Sequence, residues 1–410
     1  MNKNLKNIRF SVKPIAPEKN ERPLELARTI GVHPLTYQEL PFDPEYSIYA
    51  GRRLTTEKLS NATPEEMYWK VRQELIFRHT GEFPYEISGP DSLKLLQKIF
   101  PRDISKVEIG RCSYQFACYH DGGMITDGLL LRIDDDRYWF VQADGDMISW
   151  YKAQAKDLNV KIFDPNVWVS QIQGPRSMEL LDLLTKSNIS SNWKYFDWKE
   201  VNISGEKIII SRSGFSNELG WEIYFRKENN IKKLGDLILE EGSKIGMILT
   251  ASPVFRCRRI EAGLLSAGQD FTNKTDPYSV GLGRFVDIDK DYFIGKEALQ
   301  KKNKECLTWG IRVEKGTAIK GKNLKINGKV VGEVTSSTWS PYQVCGVGIV
   351  RMQNSNFGPG TILDVDCTNG KTHKGELCEL PMYDQKGEIV RGKNKDIPKE
   401  PSPWIGIKKK

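Results

Sequence analysis

The chain has 410 residues, of which 39% are hydrophobic and 10% aromatic, and its formal net charge is +8. This length exceeds what one hydrophobic core usually supports, so two or three domains are expected, and the apolar content excludes a mostly disordered chain. No apolar run approaches the roughly 18 residues of a membrane span. The basic N-terminus lacks the apolar segment of a secretory signal. The modest positive charge predicts no nucleic-acid binding and suits anionic small molecules.

Cysteine and histidine are poor material for a metal site in this sequence. The cysteines are odd in number and scattered without a Cys-x-x-Cys pair, at positions 112, 118, 257, 306, 345, 367 and 378. The four histidines lie far apart, at positions 33, 79, 120 and 373. No metal is therefore expected, and unpaired cysteines favour the reduced cytoplasm.

The first 60 residues are rich in proline and predict an irregular arm laid over the surface. Thr63 then precedes Pro64, Glu65 and Glu66, which is a helix-start signal, because proline fits the first turn and acids favour the positive end of the helix dipole. This helix is predicted to run to about Phe77.

A repeat joins two later stretches. Tyr85–Leu96 and Val169–Leu181 share a short strand, a Gly-Pro turn and a helix with a leucine pair on its buried face. The Gly-Pro pairs are interpreted as punctuation between strand and helix. The repeat predicts two similar α+β units.

The first unit continues into two predicted hairpins. Tyr114, Phe116 and Cys118 alternate along one strand, Asp121-Gly-Gly forms the turn, and Asp127 lies on the return strand. Leu129–Ile133 and Tyr138–Ala143 form the second hairpin. Asp127 lies among apolar residues rather than in a turn, which marks it as the acid most suited to chemistry. The alternative is an edge-strand carboxylate in water.

The stretch Ser211–Phe225 is a turn rich in Ser, Asn and Gly that leads into an aromatic strand. Because side chains alternate along a strand, Glu222 and Tyr224 point one way while Trp221 and Ile223 point the other. A buried carboxylate is costly unless donors meet it. Glu222 is therefore either half-exposed in water, or a ligand group that accepts two N–H bonds from a flat heterocycle beside Tyr224.

The last third of the chain changes from helix to strand. Arg256, Arg258 and Arg259 lie close together before an Ala-Gly-Leu-Leu segment, where they either pair with acids or clamp carboxylates. From about Glu305 the composition favours β structure, with a strong hairpin signal at Asn327-Gly. A separate all-β domain is predicted there, and the Lys/Pro/Gly-rich tail beyond about Asp384 is predicted to be mobile.

Several of these stretches together resemble the family of the glycine cleavage T-protein, a folate-dependent aminomethyltransferase, from about Tyr85 to Tyr383. Each segment is weak alone, and their order and spacing make the resemblance specific. The matching segments are Ile87–Asp91, Asp121–Asp127, Gly214–Tyr224, Arg259–Gly263, Pro277–Gly283, Tyr292–Leu299 and Gly332–Pro341. The segments that look most like the dimethylsulfoniopropionate demethylase branch are Arg9–Lys13, Pro101–Asp103, Ser211–Gly214 and Ile260–Ser266.

The resemblance implies an α+β fold in which three domains form a ring around a central tetrahydrofolate. Two domains are expected to be ferredoxin-like α+β units and the third a β-barrel. The implied partition is a folate-binding domain of residues 1–82 plus 166–284, a second α+β domain of 83–165, a barrel domain of 285–395 and a basic tail of 396–410.

The same resemblance implies roles for individual residues. Glu222 looks like the acid that binds the pterin, and Asp127 like the acid close to N5 of the folate. The other expected folate contacts are Tyr114, Gln142, Tyr224, Arg256 and Arg259. The expected substrate contacts are Arg78, His79, Phe215 and Trp221.

Three departures from the family pattern bear on the substrate. The Asp121–Asp127 hairpin carries Thr126 where the family usually has a second acid. The demethylase branch also tends to have a single acid there. Arg78 replaces an acid at the edge of the expected substrate pocket, where it would repel a cation and attract a carboxylate. Phe215 stands where the demethylase branch typically has tryptophan, which weakens the aromatic cradle for an onium group.

The expected activity is transfer of a methyl group from a small donor such as dimethylsulfoniopropionate to N5 of tetrahydrofolate, giving 5-methyltetrahydrofolate. Asp127 would orient the folate amine or take up its proton. The only expected partner is the small methyl donor, and a homodimer is left open.

Three alternatives stay open. The first is aminomethyl transfer from a lipoyl carrier protein. The second is a non-enzymatic folate-binding protein, either regulatory or of iron–sulfur assembly. The third is an O- or N-demethylase of another small methylated acid; for a methoxylated aromatic acid, Arg78 and His79 become attractive.

Overall fold

The structure is a computed structural model that describes residues 30–49, 53–143, 147–187 and 193–407. Much of the predicted arm, including Arg9–Lys13, lies outside the described residues. The described part of the arm is not wholly irregular, because β1 (Glu45–Tyr49) and β2 (Arg53–Lys58) form an antiparallel hairpin. Arg53, Thr55 and Thr56 of β2 are buried, which explains why a polar sequence is ordered there.

The second copy of the repeat lies in a six-stranded sheet, called the first sheet here. Its strands are β3 (Ile76–His79), β9 (Trp168–Gln173), β10 (Trp198–Ile203), β11 (Glu206–Ser211), β12 (Gly220–Phe225) and β13 (Ile248–Leu249). Their order across the sheet is β10-β11-β12-β9-β3-β13. Its apolar partners include the helices α1 (Pro64–Gln73), α4 (Ser177–Thr185), α5 (Ile231–Lys244) and α6 (Ser252–Ala262). Helix α1 ends before the predicted Phe77, because Ile76 begins the buried strand β3.

The first copy of the repeat lies in a five-stranded sheet, called the second sheet here. Its strands are β4 (Phe83–Ser88), β5 (Cys112–Cys118), β6 (Met124–Asp134), β7 (Arg137–Gln142) and β8 (Lys161–Phe163), in the order β5-β6-β7-β4-β8. Helices α2 (Ser92–Ile99) and α3 (Ile148–Gln154) cover one of its faces. Both predicted hairpins are present, and the two α+β units predicted by the repeat are confirmed.

The two sheets pack against each other through an apolar cluster that both of them supply. Cys112, Leu131 and Trp139 belong to the second sheet, and Val169 and Tyr224 to the first. Since side chains alternate along each strand, every second residue of these strands faces the opposite sheet. The register of the strands therefore decides which polar residues enter the space between the sheets.

The C-terminal part is a closed barrel with the strand order β14-β17-β16-β15-β18-β19, in agreement with the predicted all-β domain. Its strands are β14 (Thr308–Val313), β15 (Asn323–Ile326), β16 (Lys329–Ser340), β17 (Cys345–Met352), β18 (Ile362–Asp366) and β19 (Thr372–Cys378), preceded by helix α7 (Lys296–Lys301). Asn327 and Gly328 form the predicted turn with positive φ angles of 48° and 78°. The tail is not free: the Ser402 and Trp404 amides donate to backbone carbonyls of Tyr342 and Gln343.

A fully buried group of charges joins the first sheet, helix α6 and the barrel. Arg258 lies 2.8 Å from Glu218 in the loop before β12 and also bonds Glu261. Arg72 of α1 lies 3.8 Å from Glu218. Ser340 at the end of β16 donates to Glu261. Because the ionised groups compensate one another, the cluster can stay buried at the junction of these parts.

Replacing Arg258 with methionine should therefore destabilise the whole chain. The change leaves two buried carboxylates without their main partner, so we expect the free energy of unfolding to fall by about 3–5 kcal/mol. Urea unfolding followed by circular dichroism measures this loss. Arg256→Met is the matched control on the same helix: Arg256 pairs with Glu57 at 3.5 Å on the surface, so its loss should cost about 0–1 kcal/mol. Equal losses in both variants would contradict the assignment.

Candidate functional site

Buried Asp127 and half-buried Tyr114 form a pair on neighbouring strands of the second sheet. The Tyr114 hydroxyl donates to Oδ2 of Asp127 at 2.8 Å. Asp127 is only 6% exposed, so the edge-strand carboxylate in water is excluded. Its second oxygen, Oδ1, is buried and has no hydrogen-bond partner among the described residues. Burial raises the pKa of Asp127 to about 6.

Two arginines and an aromatic ring lie beside this pair. The Phe285 ring packs 5.4 Å from the Tyr114 ring, and the guanidinium carbons of Arg102 and Arg284 lie 5.2 and 4.8 Å from the Phe285 centroid. Neither arginine has an acidic partner within ion-pair distance in the described ranges. Lys290 fixes the loop of Arg102, because its Nζ donates to the carbonyls of residues 97, 100 and 102.

Glu222 lies on the face of the first sheet that is turned toward the second. Its carboxylate accepts from Ser213 at 2.6 Å, Tyr224 at 2.9 Å, Gln171 at 3.1 Å and Ser211 at 3.4 Å. Glu222 is 6% exposed, so the half-exposed alternative for it is wrong. Desolvation raises the pKa of Glu222, and the hydrogen bonds from its neighbours oppose that rise.

Gln171 connects Glu222 to a second acid, Glu82. The Gln171 amide nitrogen donates to Oε1 of Glu82 at 2.9 Å as well as to Glu222. The carbonyl oxygen of Gln171 is buried and has no partner among the described residues. Arg78 lies opposite Gln171 in the β3–β9 register and hence on the same face.

Arg78 and Phe215 were both expected to contact substrate. The Arg78 guanidinium donates to Thr55 at 3.1 Å and to Ser252 at 2.9 Å, and it stacks 4.6 Å from the Phe255 ring. It thus lies near the site but is already held by its neighbours. Phe215 is half-buried in the loop between β11 and β12, where it packs against the helix-side core of the first sheet.

Three predicted residues lie on the wrong faces of their strands for this site. Trp221 packs against Trp193 at 5.1 Å in the helix-side core. His79 stacks on His33 at 4.7 Å, also on that side. Gln142 accepts from the backbone of Met147 at 3.1 Å, on the helix side of the second sheet. The alternation along each strand explains all three positions.

The two arginines expected to contact folate, Arg256 and Arg259, do not lie at these acids. Arg259 is buried against Asp270 at 2.7 Å and Ser336 at 2.8 Å, so it serves packing between helix α6 and the barrel. Arg256 is exposed and faces Glu57.

The structure adds residues that the sequence did not single out, namely Glu82, Gln171, Arg102 and Arg284. One signal for Gln171 was available, because two glutamines in the buried repeat strand Val169–Gln173 are unusual. A different surface cleft, lined by Glu86, Arg137 and Trp139, holds none of the predicted site residues.

These features define an α+β protein with a C-terminal barrel and with buried acids turned into the space between two sheets. Family models agree with this class: the GCVT N-terminal domain matches residues 33–290, and the glycine cleavage T-protein C-terminal barrel domain matches residues 308–384. The chain belongs to this family, whose members are folate-dependent one-carbon transferases, and it is an enzyme of that kind.

Individual relatives carry two different names. An aminomethyltransferase of Bacillus subtilis is 33% identical over 74% of this chain and 86% of its own length. A dimethylsulfoniopropionate demethylase of Ruegeria pomeroyi is 31% identical over 69% of this chain and 79% of its own. The crystal structure of a glycine cleavage aminomethyltransferase of Bartonella henselae shares the fold, with a TM-score of 0.78 over 87% of this chain and 99% of that one at 20% identity.

Within the described residues, none of the helices has the length and apolar character of a membrane span. No group of three or more His, Cys, Asp or Glu side chains there is arranged to hold a metal ion.

The raised pKa of Asp127 predicts a pH-dependent gain in stability for Asp127→Asn. An unfolded Asp titrates at about 4, so the folded state binds this proton more tightly; its stabilising effect is present at low pH and is lost as pH rises through about 6. Asparagine never ionises. The free energy of unfolding, measured in urea, should therefore change in favour of Asp127→Asn. Relative to the wild type, it should rise by about 1–3 kcal/mol between about pH 4 and about pH 8. A difference that is the same at both pH values would contradict this.

Proposed function

We propose that this enzyme transfers a methyl group from a small methylated acid, such as dimethylsulfoniopropionate, to N5 of tetrahydrofolate. The observation that carries the proposal is the orphan oxygen of Asp127, a buried acceptor that needs a donor from a bound molecule. The resemblance to the demethylase branch at Pro101–Asp103 and Ser211–Gly214 supports the choice of donor.

The acceptors of the site fit tetrahydrofolate. Asp127 Oδ1 and Gln171 Oε1 lack partners among the described residues, and Glu222 Oε1 accepts from a single amide. A reduced pterin is a flat heterocycle rich in N–H donors, and Tyr114 and Tyr224 offer aromatic walls. Glu222 and Gln171 would hold one edge of the pterin and Asp127 the side near N5. When bound, tetrahydrofolate supplies the amine nitrogen that accepts the methyl group.

The chain contributes positioning and proton handling to this chemistry. Holding donor and acceptor in line can supply roughly 7–11 kcal/mol of the barrier. The methyl carbon exchanges a bond to sulfur for a bond to nitrogen, and the sulfur leaves as a neutral thioether. Asp127 accepts the proton released from the amine; with its pKa near 6, it is ionised at neutral pH and suited to that task.

The two arginines beside Phe285 would bind the carboxylate of the donor. Arg284 makes no side-chain hydrogen bond to another described residue, and Arg102 donates only to the carbonyl of Tyr114, at 3.4 Å. Arg284 is exposed, so a donor can reach it, and a guanidinium without an acidic partner can pair with the donor's carboxylate. Arg78 is a weaker candidate because Thr55 and Ser252 already engage it.

Aminomethyl transfer is the second candidate function. Relatives with that name are as similar to this chain as the demethylase is, at 33% and 31% identity. The two functions differ in the donor: a protein-bound aminomethyl group yields ammonia and 5,10-methylenetetrahydrofolate, and a methylated acid yields 5-methyltetrahydrofolate.

We also propose that the chain is divided into three domains: residues 1–82 with 166–284, residues 83–165 and residues 285–395.

The first experiment incubates the enzyme with tetrahydrofolate and dimethylsulfoniopropionate and follows 5-methyltetrahydrofolate by chromatography. We expect product in the wild type and a loss of about 10²–10⁴-fold in Asp127→Asn, since the proton acceptor is missing. Glu179→Gln, an exposed acid of helix α4, is the control and should retain full activity. Absence of product with bound folate would overturn this donor, and absence of folate binding would overturn the function.

A second experiment tests the carboxylate contact. Arg284→Met should raise KM for dimethylsulfoniopropionate by about tenfold or more with little change in kcat, because a charge-assisted hydrogen bond contributes about 1.5–3 kcal/mol. The methyl ester of the donor lacks the carboxylate. Its KM should therefore be high, and equal for the wild type and for Arg284→Met. If binding of 5-formyltetrahydrofolate weakens instead, the arginine serves the folate glutamate, and the assignment to the donor is wrong.

A further inference from the structure

Glu82 is an acid that the proposed function does not use. It lies in the short connection between β3 of the first sheet and β4 of the second, so the chain carries it to the junction of the two sheets. One amide ties it to Glu222: Gln171 Nε2 donates to Glu82 at 2.9 Å and to Glu222 at 3.1 Å. The two carboxyl groups are thus held as neighbours.

Glu222 is buried and Glu82 is half-buried. Two partly desolvated carboxylates that share one amide do not both ionise readily, so the pair retains a proton at neutral pH. Among the described residues, Glu222 accepts from four side chains, whereas Glu82 accepts only from Gln171 and from Thr80 at 3.2 Å. Donors stabilise the charged form, so the charge lies on Glu222 and the proton on Glu82. Desolvation and the charge of Glu222 raise the pKa of Glu82 to about 8.

Other charged and titratable groups surround Glu82. Those that face it from neighbouring elements are Arg78 of β3, Glu222 and Tyr224 of β12 and Arg53 of β2. Arg78 favours the ionised form of Glu82, but it makes no ion pair with it within the described residues and bonds Thr55 and Ser252 instead. Arg53 donates to the backbone carbonyl of Glu82 at 2.9 Å. Neither arginine therefore neutralises the carboxyl group directly.

We propose that Glu82 and Glu222 act as one acid pair, with the proton on Glu82, and that this pair recognises a heterocycle edge with two donors next to an acceptor. The proposal rests on the proposed function, because the 2-amino-4-oxo edge of a pterin has this pattern. Its two N–H groups donate to the acceptors with unused capacity, Oε1 of Glu222 and Oε1 of the bridging Gln171, and its carbonyl accepts from the Glu82 carboxylic acid. Two ionised carboxylates would offer that carbonyl no donor.

The test titrates 5-formyltetrahydrofolate, a stable reduced folate, into the enzyme by calorimetry from about pH 6.5 to about pH 9.5. Wild-type affinity should fall by about tenfold per pH unit above about pH 8, as Glu82 loses its proton. Glu82→Gln should bind within a few-fold of the wild type at neutral pH and lose this pH dependence, because the glutamine amide donates at every pH. Glu179→Gln is the control and should keep the wild-type profile.

A second measurement needs no folate. Infrared difference spectra between about pH 7 and about pH 9.5 should show carboxylic acid absorbance that disappears at high pH in the wild type. Burial raises the pKa of Glu39 to about 7, so Glu39 contributes part of this signal, and Glu82→Gln should lack the remainder. A wild-type pH profile in Glu82→Gln, or a remainder that survives in it and vanishes in Glu222→Gln, would overturn the proposal. If the wild type binds no folate but the absorbance behaves as expected, the acid pair stands and the proposed function fails.

Discussion

The buried ion cluster of Arg72, Arg258, Glu218 and Glu261 is the interaction on which the arrangement of the chain depends. It connects helix α1, helix α6, the loop before β12 and the last residue of β16. A desolvated charge is tolerated only while its partners stay in place, so these parts must keep their relative positions. The loop that the cluster holds leads directly into β12, which carries Glu222.

The space between the two sheets follows from strand alternation. Apolar residues such as Trp139 and Val169 seal one part of the interface. Further along the same faces, polar residues replace them, with Asp127 on one sheet and Glu222 and Gln171 on the other. The fold thus provides a dry neighbourhood in which a few polar groups are strongly perturbed, and this combination is typical of ligand sites.

The sequence predicted most of the architecture, because periodicity and turn chemistry are local signals. The repeat, the Asp121-Gly-Gly hairpin and the Asn327-Gly turn all appear where they were expected. It also predicted the faces of Glu222 and Tyr224 from alternation alone. It could not predict the partners of the arginines: spacing along the chain does not reveal that Arg259 meets Asp270, or that Arg102 and Arg284 share the ring of Phe285.

Neither burial nor the number of donors alone distinguishes a structural acid from a functional one. Glu222 accepts from four side chains among the described residues, but three of them bind Oε2 and only Gln171 binds Oε1. The distinguishing feature is a carboxylate oxygen with unused acceptor capacity. Glu261 is fully buried, and its two oxygens accept hydrogen bonds from an arginine, a tyrosine and a serine. It therefore has little capacity to accept from an additional molecule. Asp127 is nearly as buried, but among the described residues it accepts a side-chain hydrogen bond from Tyr114 alone. Its Oδ1 is left without a donor there. A buried oxygen without a donor costs about 1–3 kcal/mol. A bound N–H group would recover that energy. The unpaired oxygen of Asp127 therefore favours binding of a molecule that donates a hydrogen bond to it.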